Sequence, residues 1–205
     1  MASLPPAYFD ELYGRDPDPW RFASSEYEAG KYAATMAALP RPHYASALEV
    51  GCSIGVLTDA LAERCDALLA IDVADAALAQ ARARNAGHPH VLFERGQFPA
   101  VMPAPMPANG FDLLLFSEML YYLDRPTLDD AARATLAMAR PGADIVMVHW
   151  LGPTPDYPLT GDQAAEHFIA ALAPDARVMA QAPWCWTWPR ATSRWHPPMT
   201  VTPWA

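Results

Sequence analysis

Between Ala47 and Trp150 short apolar runs alternate with amphipathic stretches, and this alternation leaves few folds open. The runs ALEV, LLAIDV, HVLFERG, FDLLLFS and ADIVMVHW have the length and residue types of strands, the third being the weakest. VLTDALAER, DAALAQARARN and TLDDAARATLAMAR carry a helical period, and the last stops at Pro141 and Gly142. FDLLLFS is the most restrictive run. It lacks the apolar–polar alternation of a half-exposed strand, so both its faces must be covered. Strand–helix alternation around such strands predicts an α/β fold with a Rossmann-like, doubly wound, mostly parallel sheet.

The flanks are different in kind. DPDPWR reads as a proline-punctuated turn, and SSEYEAGKYAATMAAL from Ser24 as a capped helix ending before Pro40. PAVMPAPMP, from Pro99 to Pro107, is a loop because proline breaks both regular structures. GDQAAEHFIAAL reads as one more helix, and no period is legible beyond Pro183. One domain of 205 residues is expected. Its parts are an N-terminal helical arm or lid over 1–43, a core over 44–150, a connection with a helix over 151–183, and an irregular tail over 184–205.

Composition excludes several function classes. About half the residues are apolar, enough for a core, and no basic stripe opposes the net charge of -9, so nucleic acid is a poor partner. An acidic surface favours a cationic substrate such as an amine, and it serves solubility equally well. Cys52, Cys65 and Cys185 form no CxxC pair, so neither a disulfide framework nor a zinc site is implied. No run reaches the length of a membrane span, and Asp10, Glu11 and Arg15 interrupt any early apolar segment. The expectation is a cytoplasmic protein, monomeric or homodimeric, without metal.

The chemistry concentrates where the first strand gives way to a helix, at Glu49-Val50-Gly51-Cys52-Ser53-Ile54-Gly55. Glycine there lets backbone approach a ligand, and the helix start offers free N–H donors. A phosphate-binding loop would need Gly-Lys-Ser/Thr, which is absent. A dinucleotide fingerprint would place its third glycine at Val56, a branched residue ill-suited to close packing.

The stretch resembles the first motif of the class I S-adenosylmethionine-dependent methyltransferases, acid-x-Gly-x-Gly-x-Gly, with Ser53 for the middle glycine. DPWR, ALEVGCSIGVLT, AIDV and SEMLYYL together resemble the nodulation protein S branch of that family. The resemblance implies the class I methyltransferase fold and S-adenosylmethionine as cofactor. It also implies methyl transfer to an amine of a small acceptor, in that branch a deacetylated chitooligosaccharide. Glu49, Gly51, Cys52, Ser53 and Gly55 then form the cofactor turn, and Asp72 accepts from both ribose hydroxyls. Val73 packs against adenine, beside Gln97 and Phe98; Gln97 is either a partner of the exocyclic amine or an ordinary loop residue.

Other candidates follow from position. Ser117 and Glu118 end the fourth strand, where open α/β sheets bind ligands, so Ser117 is placed beside the cofactor and Glu118 on the acceptor's ammonium or its proton. Tyr121, Tyr122 and Trp150 are candidate walls of the acceptor pocket. Trp20 and Arg21 belong to the arm, Arg21 being either a two-pronged partner of the cofactor's carboxylate or a surface residue. His149 is either a base or a hydrogen-bonded wall, and His167 is structural. Two other functions stand beside methyl transfer: a cofactor-binding partner subunit without catalysis, and a nicotinamide-dependent oxidoreductase.

Overall fold

The computed structural model describes residues 1–101 and 104–172. The tail expected over 184–205, and Cys185 within it, lie outside the described residues. Five parallel strands make the sheet: β1 Ala47–Val50, β2 Leu68–Asp72, β3 Val91–Arg95, β4 Phe111–Ser117 and β5 Ala139–Val148. Their order is β3-β2-β1-β4-β5. The chain therefore winds one way through β1, β2 and β3, then crosses back to β4. The switch point lies between β1 and β4, and a crevice opens there at the carboxyl ends of the strands.

The helices are α1 Pro6–Arg15, α2 Glu26–Ala38, α3 Val56–Ala62, α4 Asp75–Arg84, α5 Arg125–Met138 and α6 Gly161–Leu172, with a single 3-10 turn over Leu120–Tyr122. Every residue of β4 is buried, as its lack of alternation requires. Asp112 inside it is no exception to the logic. Its carboxylate accepts from the N–H groups of Ala45 and Ser46 and from Arg140. β3 and β5 are the edges of the described sheet, and Leu92 of β3 is exposed. Among the described residues no helix is long and apolar enough to cross a membrane.

The arm is fastened to the core at several places. Leu4 N–H donates to the Tyr122 carbonyl, and Ser3 exchanges hydrogen bonds with Asp124, the N-cap of α5. Tyr13 of α1 packs with Ile54, Ala74 and Ala77. Ser25 caps α2 through the N–H of Glu28, as the sequence predicts. Both ends of α2 match the pattern; the burial of its Glu28, Lys31 and Thr35 does not follow from it.

Candidate active site

A cavity of about 490 Å³ lies over the carboxyl ends of β1, β2 and β4 and is closed on one side by the arm. Gly51 leaves β1 at φ +83°, and a Cβ there would sit 2.6 Å from the Ser117 carbonyl oxygen. Only glycine fits between the two strand ends. Ser53 takes φ +50°, and its N–H donates to Asp72 Oδ2 at 2.9 Å. The Ala74 N–H donates to Oδ1 at 3.0 Å. Each oxygen of Asp72 thus keeps a lone pair, so the carboxylate suits two neighbouring hydroxyls. Burial raises its pKa, and the backbone N–H groups of Ala74, Ser53 and Val73 oppose the rise. Val73, Gly96, Gln97 and Phe98 continue the wall.

Under the turn, Glu49 is fully buried. Its Oε2 accepts from the Thr58 hydroxyl at 2.6 Å, and its Oε1 has no partner among the described residues. Burial pushes its pKa up to about 7 despite that bond.

The opposite half of the cavity is built around Glu118, a non-glycine residue at φ +53°. One carboxylate oxygen takes the Lys31 ammonium; the other accepts from the Tyr121 hydroxyl and the Trp150 N–H, each at 2.7 Å. Lys31 also lies 2.7 Å from Glu28 Oε2. The rings of Phe22, Tyr27 and Tyr32 have their centroids 5.7 to 5.8 Å from the ammonium. Burying an ammonium is tolerable only with such compensation. Tyr121 stacks on Tyr157 with centroids 5.6 Å apart, and Tyr122 meets the same ring edge-on.

The structure sorts the residues expected from the sequence. Trp20, Gly51, Ser53, Asp72, Val73, Gln97, Phe98, Ser117, Glu118, Tyr121, Tyr122 and Trp150 all line the one cavity. Five others do not. Arg21, at φ +61°, is exposed and pairs with Asp16 at 3.3 Å. Glu49 and Cys52 are buried beneath the turn. Gly55 starts α3 and faces α4, where a Cβ would lie 2.9 Å from the Ala81 Cα. His149 sits behind the wall, edge-on to Tyr121, with Nε2 unpartnered among the described residues and a pKa lowered to about 4 by burial.

Among the lining residues that escape sequence reasoning are Tyr13, Glu28, Lys31 and Tyr157. The Tyr13 hydroxyl meets Ser53 Oγ, joining α1 to the turn. A charged pair three residues apart on a helix reads as a solvated face, so Glu28 and Lys31 gave no signal. Tyr157 lies in the proline-rich connection after β5.

The switch-point crevice, the glycine turn and the acid ending β2 define a class I methyltransferase fold. The family model described as Nodulation protein S (NodS) matches residues 10–149, and the chain belongs to that family. Over 131 residues it is 32% identical to nodulation protein S of Bradyrhizobium diazoefficiens, covering 63% of this chain and 61% of the relative. It is also 32% identical over 131 residues to that of Rhizobium tropici, covering 63% and 53%. The match thus spans less than two thirds of these relatives. Among solved structures, N-methyltransferase NodS from Bradyrhizobium japonicum WM9 in complex with S-adenosyl-L-homocysteine superposes with a TM-score of 0.66 at 23% identity, over 80% of this chain and 84% of that one. A candidate methyltransferase from Pseudomonas syringae gives 0.61 at 34% identity, over 78% and 94%.

Proposed function

We propose that this chain transfers a methyl group from S-adenosylmethionine to an amine of a small acceptor, an amino sugar being the first class to test. One observation carries the reading. The turn at Gly51 and Ser53, the carboxylate of Asp72 and the acids Glu28 and Glu118 all face a single cavity. The residues fit the cofactor: Asp72 offers an acceptor to each ribose hydroxyl, Val73, Gln97 and Phe98 flank the adenine side, and Gly51 clears the backbone. Arg21 does not line the cavity, and the Lys31 ammonium that does is already held between Glu28 and Glu118, so neither is assigned to the cofactor's carboxylate.

When bound, the cofactor supplies a methyl group activated on a sulfonium. The chain's own part is to align the amine with it, to exclude water with the aromatic walls, and to accept a proton. The lining carries Glu28, Asp72, Glu118 and Asp156 against Lys31, an acidic surplus that favours a cationic acceptor. An open cavity of this size beside Glu118 also favours an enzyme over a partner subunit, and Val56 weighs against a nicotinamide cofactor. The single-domain division and a cytoplasmic setting belong to the same proposal, with Cys52 and Cys65 free and buried.

Calorimetry with S-adenosylhomocysteine, followed by labelled methyl transfer to glucosamine oligomers, tests the reading. Binding and labelled product are expected. Tight binding of NAD in place of S-adenosylhomocysteine would overturn it.

A further inference from the structure

We propose that Asp156, at the mouth of the cavity, holds a second ammonium of the acceptor. The substrate class is then a compound with two amines, one anchored at the mouth and the other methylated in the interior. The inference rests on the methyl-transfer reading above and narrows its acceptor.

The four carboxylates of the lining differ in what already occupies them. Asp72 accepts from two backbone N–H groups at the cofactor turn. Glu118 is held by the Lys31 ammonium on one oxygen and by Tyr121 and the Trp150 N–H on the other. Glu28 is buried and paired with the same ammonium. Asp156 is exposed, with neither a hydrogen bond nor an ion pair among the described residues. It is the lining carboxylate that an incoming cation can reach without displacing a partner.

Its surroundings suit that task. Pro153, Pro155 and Asp156 all line the cavity and are exposed, which places the connection after β5 at the mouth. The two prolines fix φ on either side of Thr154. The Tyr157 N–H closes a turn onto the Thr154 carbonyl at 3.2 Å, and the Thr154 hydroxyl donates to the Leu159 carbonyl at 3.0 Å. Asp156 lies inside that turn, so little conformational freedom is left to lose on binding. Tyr157 and Tyr8 of α1 line the same cavity. The Asp156 charge adds to burial and to Tyr157 in pushing the Tyr8 hydroxyl up to about 12, so the three groups are neighbours. Aromatic rings beside a carboxylate make a site for an ammonium.

A nitrogen held at Asp156 is not the nitrogen that reacts. Attack needs a lone pair, and a facing carboxylate keeps the proton on. From Glu118 outward, the wall runs over the ring of Tyr121, whose hydroxyl reaches Glu118, and then over Tyr157, stacked 5.6 Å from it. Two rings of wall thus separate the charged mouth from the interior. An acceptor with one amine uses one of these places; an acceptor with two uses both.

The test is calorimetry on the complex with S-adenosylhomocysteine, at a pH below the amines' own pKa. Glucosamine dimer is compared with the two dimers that carry one amine and one acetamide, and labelled methyl transfer to the same compounds runs beside it. Wild type is expected to bind the dimer with two amines about threefold or more tightly than either acetylated one, within the range of an exposed ion pair. Asp156→Asn should lose that advantage and leave the affinity for the acetylated dimers unchanged. Equal affinity of wild type and Asp156→Asn for the diamine, or an equal loss on all three compounds, overturns the proposal, and label on any amine then leaves methyl transfer intact. A wild-type protein that binds S-adenosylhomocysteine but labels none of the three overturns the reading beneath it as well.

Discussion

Asp72 and Glu49 sit nineteen and four residues from the same serine turn and face opposite demands. Asp72 must present two acceptors to a ligand, so its value lies in binding. Asp72→Ala is expected to weaken S-adenosylhomocysteine by at least about 1.5 kcal/mol, the scale of hydrogen bonds to a charged group, and calorimetry measures it directly. Glu49 supports the turn from below, and its cost shows in pH. Burial lifts its folded pKa from the ordinary 4.5 to about 7, so its contribution to stability is complete below pH 4.5 and is lost as pH climbs through 7. His149 runs the other way: with a pKa lowered from 6.5 to about 4, its contribution is present above pH 6.5 and lost as pH falls through 4. The two slopes oppose each other in the weakly acidic range. Glu49→Gln removes one of them, so the variant should gain on wild type by about 3 kcal/mol between those pH limits. Denaturant melts at several pH values read this; a difference that stays flat with pH would show Glu49 ionised in the folded protein.

Among the elements, α2 and the strand ends carry the site between them. Glu118 ties Lys31, Tyr121 and the Trp150 N–H into one joint. Glu118→Gln should therefore cost about 3 kcal/mol of folding stability, since it leaves the Lys31 ammonium with only Glu28. Equal stability of variant and wild type in urea would mean that the joint is not built through this charge. The strands were legible because apolar runs of that length, separated by helical periods, admit one architecture. β4 was legible because nothing in it alternates. The start of α2 was legible at Ser25, where chemistry marks it; the stop of α5 was expected at Pro141 and Gly142 but falls at Met138, and both residues lie inside β5. What stayed hidden was burial on an amphipathic helix. Spacing identifies one face of α2 but not that Lys31 turns inward, because the carboxylate that compensates it lies 87 residues away. The same holds for Tyr157, whose partners come from the 3-10 turn, and for Tyr13, which reaches the glycine turn across 40 residues. The cofactor turn follows from local sequence. The acceptor wall follows only from the packed tertiary structure.

For the molecule as a whole, charge and shape act together on the acceptor. The chain carries a net charge of -9, and its cavity is lined by four carboxylates and one ammonium. Walls of tyrosine and tryptophan lower the local dielectric, so the field of those carboxylates reaches an approaching cation with little screening from inside the cavity. Salt in solution screens it from outside, with a Debye length of about 10 Å at 0.1 M and about 3 Å at 1 M. A cationic amine should thus be gathered less efficiently as salt rises, while the aligned complex, closed by the arm, should react at the same rate once formed. For glucosamine dimer the KM is expected to rise roughly threefold or more between low and high salt, with kcat nearly constant. Steady-state kinetics in sodium chloride separates the two constants. An uncharged analogue, with a hydroxyl in place of the amine, should bind with no such dependence in competition experiments. If KM for the amine ignores salt, or if the neutral analogue shows the same slope, the acidic lining acts in folding rather than in recognition, and a neutral acceptor becomes the better candidate.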